Sequence, residues 1–458
     1  MASSASAHTP DTAEGAPVCV IGAGPAGLAV ARALTERGIE YLHFERHSGV
    51  GGLWDIDNPG TPMYESAHFI SSRTVSGFSG FPMPESFPDY PRHDQIFEYL
   101  RGFAEAYGLR DRIVFGAEIT AVEKNDTGWI VRRADGAVTR HEQVIVCTGS
   151  QWHPALPEIP GNYTGELKHS RDYRSPAEFA GKRVLVVGGG NSGCDIACDA
   201  ARSADSAAIS MRRGYWFIPK HVFGLPSDIV GGKGSFLPKP IERAILQPLL
   251  RLLTGDPTRL GLQKPDHKLF ETHPTLNSML FHYLQHGDIV ARPGIRRADG
   301  LAVEFTDGRV EEYEMILAAT GYRHRVPVAQ SLFGDEQHPP LYLNFASREH
   351  AGLFGVGFIE TNSGAYQLFD DQAHMIAAFI DGQRTGTAEA AQFAELIRSD
   401  RPDLSGGLRF DASPRHRGYV DSDAYVKYLR KLSRRLSWPL EGRAPASVGS
   451  ARKAGVPA

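Results

Sequence analysis

Short, largely apolar runs alternate along the chain with polar turns and longer stretches of helical spacing. Residues 16–21 form one such run and residues 41–44 the next. A glycine-rich turn and an Ala/Leu/Val-rich helical segment lie between them. Unbroken apolar runs separated by helix-forming segments predict parallel strands covered by helices. The order then repeats. Residues 183–187 are largely apolar, a second glycine-rich turn and helical segment follow, and residues 207–211 are largely apolar again.

Later landmarks repeat as well. Asp135-Gly136 follows the alternating run 129–133 and precedes the apolar run 144–147, which ends in Thr148-Gly149. Asp307-Gly308 follows the run 301–305 and precedes 315–319, which ends in Thr320-Gly321 at the same separation. Asp-Gly beside an alternating run is a hairpin signal. The chain therefore reads as two copies of one unit: a glycine-rich βαβ, a β-meander and a buried strand ending in Thr-Gly. Residues 151–181, rich in Pro and Gly, read as a domain crossing. Residues 225–277 read as an insertion with a helical patch over 241–253, whose apolar stripe suits core packing, a lid or an interface. Residues 350–358 and a helical pattern over 367–380 suggest that the chain returns to its first unit.

Length and composition narrow the picture. At about 150 residues per domain, 458 residues make two large domains or three smaller ones. The 49 Lys+Arg against 53 Asp+Glu give a net charge of −4, which argues against a nucleic-acid footprint. Four cysteines are too few for a disulfide scaffold; Cys19 and Cys147 sit inside apolar runs, and Cys194 and Cys198 stand one helical turn apart as buried thiols or a redox pair. No apolar run reaches the roughly 18 residues of a membrane span, and the start lacks the basic and apolar regions of a signal peptide. The expected address is the cytoplasm.

Both glycine-rich turns are G-x-G-x-x-G: Gly22, Gly24 and Gly27 with Pro25 and Ala26, then Gly188, Gly190 and Gly193 with Asn191 and Ser192. The first glycine permits a tight turn, the second lets a pyrophosphate approach, and the third lets helix and strand pack closely. The helix N-terminus offers free N–H groups to phosphates. The end of the next strand decides the ligand. Glu45, followed by Arg46, suits ribose hydroxyls and repels a 2′-phosphate, as FAD or NAD(H) requires. Arg212 and Arg213 suit a 2′-phosphate and favour NADPH over NADH. Gly52-Leu53-Trp54 would pass near a pyrophosphate and flavin. Thr148, Gly149, Thr320, Gly321 and Gln372 complete the candidate cofactor-binding set. One Glu site and one Arg site make an enzyme that passes hydride from NADPH to FAD.

The predicted fold class is α/β, with two Rossmann-like dinucleotide-binding domains, the second inserted into the first, each with a small β-meander. Residues 1–16 form a disordered lead, 17–160 the first part of the FAD domain, and 161–313 the NADPH domain. Residues 314–438 return to the FAD domain, and 439–458 form a loose tail.

Ahead of the second glycine motif stands Tyr163-Thr164-Gly165-Glu166-Leu167-Lys168-His169-Ser170-Arg171-Asp172-Tyr173. With Gly52-Leu53-Trp54, Phe78-Ser79-Gly80-Phe81-Pro82-Met83-Pro84, Ser210-Met211-Arg212-Arg213-Gly214 and Ala319-Thr320-Gly321-Tyr322, it resembles the flavin-containing monooxygenases, the class that includes the Baeyer–Villiger enzymes. The family's opening Phe is Tyr163 here. A closing Tyr173 rather than Trp points to the heteroatom-oxidising branch. The resemblance implies that NADPH reduces FAD, that O2 adds to give a C4a-hydroperoxide shielded by retained NADP+, and that a nitrogen or sulfur of a small molecule attacks it. No catalytic triad is implied, and His169 is expected to hold the linker. Many relatives carry an Asn near the flavin where this chain has Ile70. The hydroxyls of Ser71 and Ser72 follow, and Ser71 is the candidate catalytic residue. Baeyer–Villiger oxidation of a ketone, an uncoupled NADPH oxidase and a non-catalytic flavoprotein stay open. A disulfide reductase would need a close cysteine pair at the flavin, and none is placed suitably here. His93, His221, His267 and His273 have no metal-site spacing. Residues 405–438 read as a solvated helix, a lid or a homodimer contact.

Overall fold

The computed structural model describes residues 16–232, 239–334, 339–410 and 418–440. The expected lead and tail lie, but for residues 16, 439 and 440, outside the described residues. Two sheets carry the architecture. The first runs in the order Leu341–Tyr342, Ala346–Ser347, Leu353–Gly355, Gln143–Val146, Val18–Ile21, Tyr41–Phe44, Ile113–Val114. Its last five strands are parallel and its first two are added antiparallel. The second sheet runs Ile289–Arg292, Ser206–Ser210, Arg183–Val187, Met315–Ala318, Glu166–His169, all parallel.

The central strands are inaccessible from both faces, as a parallel sheet between helices requires. That is why they read as unbroken apolar runs. The two sheets repeat one register. Each glycine-motif strand pairs on one side with the next strand in sequence and on the other with the strand that ends in Thr-Gly. Beside each sheet lies a three-stranded antiparallel meander. Gly136 (φ +87°) and Gly308 (φ +86°) turn the two hairpins, and Asp135 and Asp307 each accept a backbone N–H two residues on.

The second sheet is inserted into the first, since Leu353–Gly355 pairs with Gln143–Val146 across the whole intervening unit. The fold is thus α/β with two Rossmann-type units, one interrupting the other. The returning helix Tyr366–Thr385 packs on Pro25–Glu36, the helix of the first glycine motif. Arg32 and Asp370, both wholly buried, pair across that contact, and Asp370 also accepts the Ser79 N–H.

The helical patch in the insertion is the helix Lys239–Thr254. Core packing accounts for only part of its stripe: Leu250 is buried and Leu246 half-buried beside Trp216 and Leu269. Ile241, Ile245, Leu249, Leu252 and Leu253 face outward, Leu252 at 82% exposure. Among the described residues, no helix is long and apolar enough to cross a membrane.

Candidate cofactor and oxygenation site

The first glycine motif is closed by sterics. A Cβ on Gly27 would lie 1.8 Å from the Gly22 carbonyl oxygen, and one on Gly22 (φ +101°) 2.6 Å from that of Cys147. Neither position admits a side chain. Gly24 faces Gly52 backbone to backbone, with a Cβ on Gly52 only 2.9 Å from the Gly24 Cα. The helix begins at Pro25, and Leu28 is the first residue to bond back, to the Gly24 carbonyl. The earlier N–H groups have no acceptor within the helix. Glu45 is buried at the end of its strand and accepts the Ala23 N–H (2.5 Å) and the His47 N–H (2.8 Å). His43, two residues earlier in that strand, meets the Gly22 carbonyl at 2.9 Å; burial pushes its pKa down to about 4. Arg46 is exposed and lies 4.3 Å over the Trp152 ring, whose N–H donates to the Thr148 carbonyl. The Thr148 Oγ1 atom is buried with no partner.

The Gly52–Trp54 turn is pinned by Asn58, which donates to the Gly52 carbonyl, and by Thr61, which donates to that of Leu53. Trp54 packs on Phe69 (5.1 Å), and Phe69 packs on Tyr366 (5.4 Å). Ile70 follows at 40% exposure. Ser71 accepts a hydrogen bond from Ser76, so its hydroxyl is engaged within its own turn. Ser72 is buried; its N–H donates to Asp228 of the insertion (2.6 Å) and its Oγ has no partner. Gln372 is fully buried and donates to the Tyr425 hydroxyl and toward the Leu343 carbonyl, both internal contacts of the core.

The second motif repeats the first. A Cβ on Gly193 would lie 2.2 Å from the Gly188 carbonyl oxygen, whereas one on Gly190 would meet nothing within 4 Å. Asn191 starts the helix and accepts the Leu276 N–H, and Ser192 is exposed at its first turn. At the end of the next strand Arg212 is exposed, and Arg213 lies 5.7 Å over the Tyr215 ring. Thr320 donates to the Ala155 carbonyl, and Gly321 (φ +84°) accepts from the Ala155 N–H, so this Thr-Gly end is tied to the linker.

His169 completes that tie. Its Nε2 meets the Gly321 carbonyl (3.1 Å), its Nδ1 accepts the Arg171 N–H (3.1 Å), and its ring packs on Tyr322. Tyr173, wholly buried and stacked on Phe179, donates to Asp199 (2.9 Å). Asp199 also accepts from Ser66 and pairs with Arg202. Among the described residues, no three His, Cys, Asp or Glu side chains gather as a metal site. His221, His267 and His273 each meet a side chain of another residue type, Asp89, Thr272 and Tyr419. All four cysteines are buried free thiols, and burial pushes Cys198 up to about 12.

The Flavin-binding monooxygenase-like family matches residues 15–436 of this chain. The chain belongs to that family. Flavin-containing monooxygenase 5 of Oryctolagus cuniculus is 33% identical over 407 residues, 83% of this chain and 76% of its own length. Dimethylaniline monooxygenase (N-oxide-forming) 2 of Mus musculus is 33% identical over 454 residues, 91% of this chain and 82% of its own. The closed crystal structure of cyclohexanone monooxygenase shares the fold with a TM-score of 0.69 at 19% identity, covering 97% of this chain and 99% of that one.

This monooxygenase is FAD- and NADPH-dependent and uses O2. Its residues fit both nucleotides. The Gly24–Gly52 contact leaves bare backbone for a pyrophosphate, and the Thr148 hydroxyl is an unpartnered buried polar atom beside it in the fold. The space over Gly190 and the exposed Arg212 fit a second dinucleotide carrying a 2′-phosphate. The residues that support these loops are not marked by any of the motifs. Asn58, Thr61, Trp152 and Asp199 hold the loops without a motif of their own. Only the Asn58-Pro59-Gly60-Thr61 turn cluster carried a local signal.

Proposed function

We propose that this monooxygenase oxygenates a nitrogen or sulfur atom of a small molecule. The observation that carries this reading is Tyr173, which closes the linker motif in place of Trp and is locked by Phe179 and Asp199. The Mus musculus relative, named for forming an N-oxide, supports it. FAD, when bound, takes hydride from NADPH and activates O2 for transfer. The chain's own part is to bind, orient and exclude water. Gly22, Gly24 and Gly27 leave room for one pyrophosphate and Glu45 takes its ribose. Gly188, Gly190 and Gly193 leave room for the other, and Arg212 with Arg213 take the 2′-phosphate. Trp54, Phe69 and Tyr366 form an aromatic wall that keeps water out. No acid–base pair is needed, because an amine or thioether is itself the nucleophile. On this reading residues 17–160 and 314–438 are the FAD part and 161–313 the NADPH part. The four buried free thiols suit a reducing, cytoplasmic address.

A second reading, an uncoupled NADPH oxidase, is favoured by Ile70, whose side chain cannot hydrogen-bond. One experiment separates them. The FAD-loaded enzyme is reduced with NADPH without air, then aerated with a tertiary amine, a thioether or a cyclic ketone. N-oxide or sulfoxide in proportion to NADPH is the expected result. Ester from the ketone alone, or stoichiometric H2O2 with every substrate, overturns the reading.

A further inference from the structure

The C-terminal helix Ser422–Leu436 carries Lys427, Arg430, Lys431, Arg434 and Arg435 against one acid, Asp423. The whole chain is acidic, so this is a local excess. Tyr425, Leu429, Leu432 and Leu436 fill the helix's inward face. Lys427, Arg430 and Arg434, at i, i+3 and i+7, line a cavity of about 530 Å³ together with Asp423. Thr74, Val75, Ser363 and Gly364 form the opposite side. None of the three cations makes an ion pair among the described residues.

The cavity walls are fixed to one another. Glu360–Thr361 pairs in parallel with Tyr419–Val420. Asn362 donates to Asp421 (3.1 Å) and accepts the Ser422 N–H (2.9 Å), and Asp421 caps the helix at the Ala424 N–H. Gly364 sits so close to the Arg73–Ser76 turn that a Cβ would lie 2.9 Å from Ser76 Oγ and 3.1 Å from the Val75 carbonyl oxygen. The cavity wall connects by packing to the Gly52–Trp54 turn. Tyr366, two residues past Gly364, packs on Phe69 and through it on Trp54, while Thr74 follows Ile70 by four residues.

We propose that this cavity holds the carboxylate of the substrate, so that the enzyme acts on amines or thioethers that carry a carboxylate. Two guanidiniums and an ammonium on one wall match a two-oxygen anion, which each Arg can grip through paired N–H groups. Five cations on one short helix also disfavour the pairing of two copies of it face to face. The atom oxidised rests on the nitrogen-or-sulfur reading; the anion site does not.

The test is binding of 3-(methylthio)propanoate and its primary amide to the FAD-loaded enzyme, measured by titration calorimetry in low salt, followed by product analysis with NADPH and air. The carboxylate is expected to bind about tenfold more tightly than the amide. The gap should shrink with added salt and close in K427A/R430A/R434A. If that variant does not fold, R430E and R434E singly should each narrow the gap. Equal affinities in the unaltered enzyme, or a gap that survives these variants, would overturn the proposal. Preferential carboxylate binding with H2O2 as the sole product would sink the nitrogen-or-sulfur reading and keep the anion site. Sulfoxide formed without any carboxylate preference would do the reverse.

Discussion

Ile70 is a side chain that offers only van der Waals contact at a place where the resemblance puts an amide. Restoring a donor there should improve oxygen transfer. Ile70→Asn is expected to lower the H2O2 released per NADPH by about two- to tenfold, the worth of one hydrogen bond, as read by peroxide and NADPH assays run together. The glycines of the second motif separate folding from binding. Gly193→Ala forces a Cβ to within 2.2 Å of a carbonyl oxygen, so its cooperative melt should be lost or shifted far down. Gly190→Ala meets no protein atom within 4 Å, so its melt should hold while the KM for NADPH rises about tenfold or more. An unchanged KM would show that the nucleotide does not approach Gly190. Arg212→Ala should raise the KM for NADPH by about ten- to a hundredfold and leave that for NADH in place.

At the scale of single elements, the strand Tyr41–Phe44 links a titrating group to the glycine loop. His43 is held neutral by burial against the Gly22 carbonyl, with its pKa lowered to about 4 from 6.5. The unfolded chain therefore binds the extra proton first as pH falls. The stability His43 contributes is full above about pH 6.5 and is lost on the way down to about pH 4, up to about 3 kcal/mol. Urea unfolding at pH 7.5 and pH 5 should show this drop, and His43→Gln should flatten it. Elements such as this strand were legible in the sequence because burial on both faces leaves a largely apolar run. Tyr41–Phe44 and Arg183–Val187 fall at the expected residues for that reason. The hairpins were legible because the Asp-Gly turn specifies its own backbone. The added antiparallel strands Leu341–Tyr342 and Ala346–Ser347 were not, since two residues show no period. The stripe of Lys239–Thr254 showed its spacing but not its outward direction, which depends on partners elsewhere in the chain.

Across the whole molecule, the two units meet at Asp199. Ser66 reaches it from 133 residues away and Tyr173 from the linker, and Arg202 balances its charge. No local pattern announces such a residue, because its partners are joined only by the finished fold. Asp199→Ala would strand the buried Tyr173 hydroxyl. It is expected to cost about 2–4 kcal/mol, measured by chemical denaturation; an unchanged midpoint would show that the units are held together elsewhere.

The insertion of one sheet inside another also sets a timetable. Leu353–Gly355 must pair with Gln143–Val146, yet about 200 residues separate them in the chain. A ribosome adding roughly 5–20 residues per second leaves an interval on the order of 10–40 seconds between those strands. During that interval the first sheet has an open edge at Gln143–Val146, and the whole second unit emerges with its own sheet strands already in hand. The nascent chain therefore completes its inner half before its outer half, and the protein's exposure to aggregation is decided by how well that waiting edge is shielded.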